Sequence, residues 1–441
     1  MEKDEAIIRN DEEIKPVRIN GVQVGSTVYP TEEPVKDSEN DEEPRLTDRE
    51  VMEHTASIWQ YNPIKDNGIE MHTEYHAKHT ETDLGEIIAA RARGKKHKHD
   101  GSNCDDWFET AVTDGCFIAV AADGAGSKNL SRIGARICCE GAVEYLKHRL
   151  AKLFRDEPDL RSALSADMSE PCFMDACGKI APMVQNAARE AFDSVINHLK
   201  AIYNDSTYNE ALGRKPTLGD FSSTYLAAIV IPLEIDGERQ CFTVTAQIGD
   251  GCICAINTRA DADSCLKLLG EADSGAFSGE TDFLSEKTVD GNVIAGKTRI
   301  SRGKSDIIML MTDGVADDYF PAAPMAKRLY LDLCLNGILP MEGDASVAEQ
   351  PEPIRFRSVT MSQRSVELQY AKQLINDKDG ENAIDMLWEK RASLKCHSLE
   401  AYGISLGEMP QERLLTWLDN YNERGSFDDR TLVIINLKMK E

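Results

Sequence analysis

Positive charge is scarce in this sequence. Its 441 residues include 50 lysines and arginines against 76 aspartates and glutamates, which gives a formal net charge of −26 at pH 7. Binding to nucleic acid or to an anionic membrane surface requires a positive protein face. The acidity therefore argues against both kinds of partner, although it is compatible with a site that concentrates metal cations.

Long apolar runs are also missing. No stretch approaches the roughly 18–20 residues needed to span a bilayer, and the opening segment MEKDEAIIRNDEE does not have the pattern of a secretory signal. The 12 cysteines show no regular disulfide spacing. Cys252 and Cys254 are interpreted as small core residues of a strand rather than as zinc ligands. We therefore expect a cytoplasmic protein with reduced thiols.

The composition changes along the chain and predicts two regions. Residues 1–85 are assigned to an acidic, partly disordered arm, and residues 86–441 to a large globular domain. Within the arm, alternation around Asn20-Gly21 predicts a small hairpin or a strand awaiting a partner. Residues 321–404 have a mostly helical pattern with a polar, proline-bearing centre, and we expect them to form a helical insertion.

Three histidines, His72, His76 and His79, would share one face of a helix. Imidazoles at such spacing are able to bind zinc. A polar helix or loop near the edge of the domain is the favoured interpretation.

Apolar periodicity predicts the main elements of the globular region. The repeats of Cys139, Val143, Leu146 and Leu150, and of Ala188, Phe192, Val195 and Leu199, indicate two long amphipathic helices. Leu414, Trp417, Leu418 and Tyr421 indicate a further helix. Buried strands are predicted at 116–122, 223–232, 307–311 and 431–437, and alternation over 242–248 predicts a strand with one buried face.

Aspartates stand at the ends of these strands. Asp123, Asp250 and Asp313 each follow a strand and precede glycine, Asp428-Asp429 precede the last strand, and Asp105-Asp106 precede the first. A single Asp-Gly pair is most simply a turn. Several carboxylates at one rim of a sheet would instead repel one another and attract Mg²⁺ or Mn²⁺, which prefer oxygen ligands.

The order of these motifs resembles that of type 2C, metal-dependent serine/threonine protein phosphatases. The matching segments are AVAADGAGSKNLSRIGARICCEGA, FSSTYLAAIV, AQIGDG, IIMLMTDGVAD and GSFDDRTLVIINL. The resemblance covers about residues 94–437, with 321–404 outside the common core. It implies an α+β fold, an αββα four-layer sandwich of two antiparallel sheets flanked by helices.

The resemblance also implies a metal centre that holds two Mg²⁺ or Mn²⁺ ions. Asp123 would bridge the two ions, Asp313 and Asp428 would complete the first, and the Gly124 carbonyl would contribute to the second. Asp250 resembles the ligand of a third, looser ion.

GKKHKHDGSNCDDW resembles the start of the bacterial branch of this family. On that match His97 and Asp105 occupy the histidine and aspartate positions of the catalytic segment, and Asp105 is also a candidate metal ligand. Cys104 stands where better-known members have a glutamate that binds the second metal, and cysteine is a poor ligand for Mg²⁺ or Mn²⁺. Asp105 or Asp106 is expected to help hold that ion. Arg93 is the candidate for binding the substrate phosphate.

The implied activity is hydrolysis of phosphoserine and phosphothreonine in a phosphoprotein by a metal-activated water, with His97 as the acid for the leaving oxygen. A solvated histidine in a basic stretch is the alternative for His97. For the whole chain, the Cys104 substitution raises the alternative of an impaired member that binds phosphopeptides or regulates a partner. A phosphohydrolase acting on nucleotides or small phosphates is another, although neither G-x-x-x-x-G-K-[ST] nor H-E-x-x-H occurs.

Overall fold

The computed structural model describes residues 18–19, 22–23, 60–260, 264–272, 281–319, 322–336, 338–339, 409–420 and 427–437. The chain divides into two units, Met1–Leu46 and Thr47–Glu441. In the first unit, β1 (Arg18–Ile19) pairs antiparallel with β2 (Val22–Gln23). The hairpin predicted around Asn20-Gly21 is confirmed.

The second unit contains two antiparallel sheets. One has six strands in the order β10-β9-β12-β13-β4-β3 and the other has five in the order β11-β8-β7-β6-β5. The strands are β3 (Tyr75–Thr82), β4 (Gly85–Ala92), β5 (Trp107–Thr113), β6 (Cys116–Ala122), β7 (Tyr225–Ile235), β8 (Glu238–Ile248), β9 (Cys252–Ile256), β10 (Leu266–Leu268), β11 (Thr298–Gly303), β12 (Ile307–Met311) and β13 (Arg430–Leu437).

Helices cover the outer face of each sheet. The described helices are Lys95–Asp100, Ser131–Asp156, Leu160–Ser165, Pro171–Ile202, Ser206–Leu212, Gly291–Gly296, Asp313–Ala316, Ala322–Leu335 and Pro410–Asn420, with a 3-10 turn at Leu218–Phe221. Among these helices, none combines the length and the apolar character needed to cross a bilayer.

Three apolar layers hold the sandwich together. Strand β6 shows how alternate side chains are divided between two of them. Ile118 and Val120 pack against the helices outside the five-stranded sheet. Phe117 and Ala119 pack between the two sheets. The third layer lies between the six-stranded sheet and the helices Ala322–Leu335 and Pro410–Asn420. The predicted αββα sandwich is confirmed, as are the amphipathic helices.

Several local predictions were wrong. His76 and His79 lie on strand β3, so this segment is an edge strand of the six-stranded sheet and not a helix. Strand β3 also lies inside the range assigned to the N-terminal arm. Over residues 242–248, strand β8 is buried on both faces, because Thr243 and Thr245 are buried along with their apolar neighbours. Of the expected insertion, the helix Ala322–Leu335 is described, and residues 340–404 lie outside the described residues.

The layer between the sheets predicts a matched pair of effects on stability. Ile308 of β12 is fully buried there, whereas Ile300 of edge strand β11 is 46% exposed. Ile308→Ala is expected to lower the free energy of unfolding by about 2–5 kcal/mol, because it leaves a cavity. Ile300→Ala is expected to change that free energy by less than about 0.5 kcal/mol. Urea unfolding of both variants measures the difference, and equal losses would contradict the layer assignment.

Candidate active site

The predicted aspartates converge because their strand ends lie at one edge of the sandwich. In the five-stranded sheet, Trp107 pairs with Ala122, which places the start of β5 beside the end of β6. In the six-stranded sheet, Met311 pairs with Leu432, which places the end of β12 beside the start of β13. The loops that carry the carboxylates therefore leave both sheets at the same edge.

Asp123 lies at the centre of a group of carboxylates that are half-buried, apart from the fully buried Asp106. Burial raises its pKa well above the ordinary value of 3.8, and the carboxylates of Asp313, Asp106, Asp428 and Asp250 raise it further. Burial also raises the pKa of Asp313, and the carboxylates of Asp106, Asp428, Asp250 and Asp317 raise it further. Such mutual repulsion favours protons or cations among these side chains.

Asp106 links the two sheets at this edge. It is fully buried, and its Oδ2 accepts hydrogen bonds from Thr312 Oγ1 at 2.8 Å and from Thr431 Oγ1 at 2.6 Å. Burial and Asp429 raise its pKa to about 7. Its Oδ1 is buried and has no hydrogen-bond partner among the described residues.

Asp250 stands on the loop after β8. Its Oδ2 accepts a hydrogen bond from Thr281 Oγ1, while its buried Oδ1 has no hydrogen-bond partner in the described part of the chain. Asp317, in the turn after Asp313, is exposed, and partial desolvation and the carboxylate of Asp250 raise its pKa.

Cys104 and Asp105 point in different directions. The Cys104 thiol is fully buried beside the Arg91 guanidinium, and burial raises its pKa. The Asp105 carboxylate instead faces His97, with its Oδ2 3.9 Å from His97 Nε2. Burial and Asp429 raise the Asp105 pKa to about 7, although His97 and Arg132 oppose this. Cys104 therefore does not leave the site without a carboxylate, because Asp105 supplies one.

His97 is held inside the site by Asp429. Its Nδ1 lies 2.7 Å from Asp429 Oδ2, and its side chain is 6% exposed. Burial alone would lower the His97 pKa, but the carboxylates of Asp429, Asp105 and Asp428 raise it to about 9. The alternative of a solvated histidine is therefore wrong.

The terminal nitrogens of the Arg93 guanidinium donate to groups other than the carboxylates of the site. Its guanidinium is buried and donates to the carbonyls of His97 at 2.7 Å and Asn62 at 3.0 Å and to Glu74 Oε1 at 3.1 Å. These contacts fix the segment that carries His97. They do not favour the prediction that Arg93 binds a substrate phosphate.

Two glycines, Gly94 and Gly314, allow the loop that carries Asp428 and Asp429 to pack closely against them. A Cβ on Gly94 would lie 2.2 Å from the Asp428 carbonyl carbon, and one on Gly314 would lie 1.8 Å from the Asp429 carbonyl oxygen. Any other residue at either position would push Asp428 and Asp429 away.

The residues at this edge fit hard divalent cations. The donors are carboxylate oxygens, which Mg²⁺ and Mn²⁺ prefer, and two of the oxygens are buried without a partner among the described residues. One atom each of His97, Asp428 and Asp429 also lie within 4.8 Å of one another. A cation bound here would relieve the repulsion that raises the pKa of Asp123.

Comparison with known proteins identifies the family. A family model described as protein phosphatase 2C matches residues 93–335, which is more than half of the chain. The chain belongs to the protein phosphatase 2C family. This membership supports a phosphoprotein phosphatase function.

Solved structures of phosphatase 2C proteins resemble the chain at low identity. A bacterial serine phosphatase is 10% identical, with a TM-score of 0.36, over 81% of this chain and 99% of that one. The serine/threonine phosphatase Stp1 from Staphylococcus aureus is 11% identical, with a TM-score of 0.35, over 85% and 100%. A serine-threonine phosphatase 2C from Toxoplasma gondii is 11% identical, with a TM-score of 0.38, over 82% and 99%. No curated protein sequence matches the chain significantly.

For this phosphatase 2C chain, sequence reasoning missed part of the site. Asp123, Asp250, Asp313 and Asp428 come together as predicted from their strand ends, and His97 and Asp105 lie beside them. The contacts of Asp429 with His97 and of Asp106 with two threonines were not foreseen. The doublets Asp105-Asp106 and Asp428-Asp429 were the available signal, because a second acid beside a predicted ligand needs its own partner.

The raised pKa of Asp105 predicts a pH effect in metal-free buffer. Its folded-state pKa of about 7 exceeds the ordinary 3.8. A carboxyl with a raised pKa stabilises the folded state below its unfolded pKa, and this contribution is lost as pH rises through the folded pKa. With chelator present, the wild type is therefore expected to lose stability relative to Asp105→Asn between about pH 4 and about pH 7. Urea unfolding at both pH values tests this, and a pH-independent difference would contradict it.

Proposed function

We propose that this phosphatase 2C chain hydrolyses phosphoserine and phosphothreonine in phosphoproteins with the help of Mg²⁺ or Mn²⁺. The observation that carries the proposal is the group of half-buried carboxylates around Asp123, whose pKa four neighbouring acids raise. Such a group is stable at neutral pH when cations neutralise it. A negatively charged phosphate would approach the exposed edge of this group only if bound cations made the site positively charged.

The cations would be held by Asp105, Asp123, the Gly124 carbonyl, Asp313 and Asp428, with Asp250 available for a third ion. The missing side chain of Gly124 lets it pack against the backbone of Asp105, because a Cβ there would lie 2.7 Å from the Asp105 carbonyl oxygen. Bound cations supply a water whose pKa is lowered towards neutrality, and they neutralise phosphoryl oxygens.

His97 is the residue of this chain suited to protonate the leaving serine or threonine oxygen. Its Nδ1 is engaged by Asp429, and its Nε2 lies on the side of Asp105. An alkoxide leaving group needs a proton, and a positioned imidazole supplies one efficiently. Asp105 would act beside His97 in the same step and as a ligand.

The reason for considering an impaired family member that binds phosphopeptides no longer applies. That alternative rested on Cys104, and Asp105 presents a carboxylate beside it. No contact in the described part of the chain specifically favours the alternative of a phosphohydrolase for nucleotides or small phosphates. We also propose a reducing, cytoplasmic setting, because the 12 cysteines of the sequence show no regular disulfide spacing.

Two substitutions test the proposed chemistry. Asp123→Asn and Asp313→Asn each remove a charged oxygen that two cations would share or bind. Mn²⁺-dependent release of phosphate from a phosphoserine peptide is expected to become undetectable in both variants. The thermal transition in metal-free buffer is expected to be retained, because asparagine resembles the protonated acid that burial favours.

The matched control is Asp193→Asn, on the exposed face of the helix Pro171–Ile202. It makes the same chemical change far from the carboxylates and is expected to keep full activity. Full activity in Asp123→Asn and Asp313→Asn would refute the metal-dependent assignment. Nucleotide substrates assayed in parallel separate a protein phosphatase from the small-phosphate alternative.

A further inference from the structure

Asp429 is surrounded by hydrogen-bond donors. Its side chain is 1% exposed. Its Oδ1 accepts from the Gly94 backbone N–H at 2.6 Å, and its Oδ2 accepts from the Asp105 backbone N–H and lies 2.7 Å from His97 Nδ1. Together the three donors lower the pKa of Asp429, against the effect of burial. Asp429 thus ties together the two segments that carry His97 and Asp105.

The backbone of His97 is fixed independently of its ring. The His97 carbonyl accepts from Arg93 Nη2 at 2.7 Å and from the backbone N–H groups of Gly101 at 2.9 Å and Ser102 at 3.1 Å. With the main chain held, the orientation of the imidazole depends on the contact between Nδ1 and Asp429.

The other ring nitrogen faces space left by a glycine. A Cβ built on Gly126 would have His97 Nε2 as its nearest atom, at 3.9 Å. Asp105 Oδ2 lies 3.9 Å from the same nitrogen, which is longer than a hydrogen bond. Nε2 is therefore the nitrogen that a substrate oxygen is able to reach.

We propose that Asp429 is a positioning residue that holds the His97 ring with Nδ1–H donated to its carboxylate and Nε2 turned towards the substrate. The proposal rests on the proposed function, because it assigns His97, as an imidazolium with a proton on each ring nitrogen, the transfer of the Nε2 proton to the leaving oxygen, which leaves the neutral ring with Nδ1–H on Asp429. A carboxylate that fixes a histidine's tautomer through the far nitrogen is a general device of catalytic and metal-binding histidines. Asp428, the adjacent acid, remains the candidate metal ligand.

Only a carboxylate satisfies the three donors at this position. Asparagine has one acceptor oxygen, and its amide N–H₂ would face a backbone N–H or the ring. In Asp429→Asn, an amide N–H₂ that faces the ring forces the ring to turn or to present Nδ1 as an acceptor, and an amide N–H₂ that faces the Gly94 N–H loses the contact that fixes the side chain against that backbone. The substitution keeps the size of the side chain, which limits the disturbance of Asp428.

The leaving group distinguishes positioning from a structural role. A phosphoserine peptide releases an alkoxide that needs a proton, whereas 4-nitrophenyl phosphate releases a phenolate that does not. Asp429→Asn and His97→Gln are each expected to lower kcat for the peptide by roughly 10²–10⁴-fold, the range of general acid catalysis. The loss for 4-nitrophenyl phosphate is expected to be less than about tenfold, with KM for both substrates nearly unchanged. The double variant is expected to lose no more than the worse single variant, because the two residues act as one unit.

Other outcomes overturn the proposal. Equal losses on both substrates with a lowered melting temperature would mean that Asp429 is only structural. Weakened Mn²⁺ binding in His97→Gln, measured by titration calorimetry, would make His97 a metal ligand instead. Asp193→Asn serves again as the control that retains activity.

A spectroscopic measurement separates this proposal from the proposed function. ¹⁵N NMR of the His97 ring in the metal-free full-length protein is expected to show a protonated Nδ1 in the wild type and a changed Nδ1 signal in Asp429→Asn. This result would support the positioning contact even if no phosphatase activity were found. An unprotonated Nδ1 in the wild type would overturn the contact even if the enzyme proved active.

Discussion

The repulsion among closely spaced, half-buried carboxylates at one edge of the sandwich is the constraint on which the site depends. Asp313 raises the pKa of Asp123, and burial together with Asp106, Asp250 and Asp428 raises the pKa of both. The fold tolerates this because buried apolar layers on both sides of each sheet hold the strand ends in place. The carboxylates cannot separate without disrupting those layers, so the repulsion is available to favour cation binding.

Hydrogen bonds set the direction of each carboxylate in this edge. One oxygen of Asp106 accepts hydrogen bonds from Thr312 and Thr431, and both oxygens of Asp429 accept from donors on the segments before β5. Asp123, by contrast, is anchored through its main chain, where its N–H donates to Thr224 Oγ1 and its carbonyl accepts from the Thr224 N–H. The side chain of Asp123 is left for another role. Asp429, which accepts hydrogen bonds at both oxygens, thus differs from the candidate ligands Asp250, Asp313 and Asp428, in each of which a donor engages one oxygen.

The strands and the strand-end aspartates were predictable because their signals are local. An apolar run such as 116–122 followed by Asp-Gly indicates a buried strand and its exit without reference to the rest of the chain. The direction of the Cys104 side chain was not predictable, since it depends on which face of a short extended segment packs against Arg91. The three histidines near residue 75 misled for a similar reason. Their spacing fits a helix, and only pairing with β4 shows that the segment is a strand.

The contact between His97 and Asp429 shows the limit of such local signals most clearly. The two residues are separated by 332 positions, and they meet because β13 pairs with β4, whose end leads into the His97 helix. Gly94 has no Cβ and so permits the loop of Asp428 to lie against that helix. A motif scan assigns the first acid of the Asp428-Asp429 doublet and passes over the second. Asp429 reaches His97 only because β13 and β4, which are far apart in the sequence, are neighbouring strands. The pairing that joins these strands in the sheet therefore also completes the candidate site.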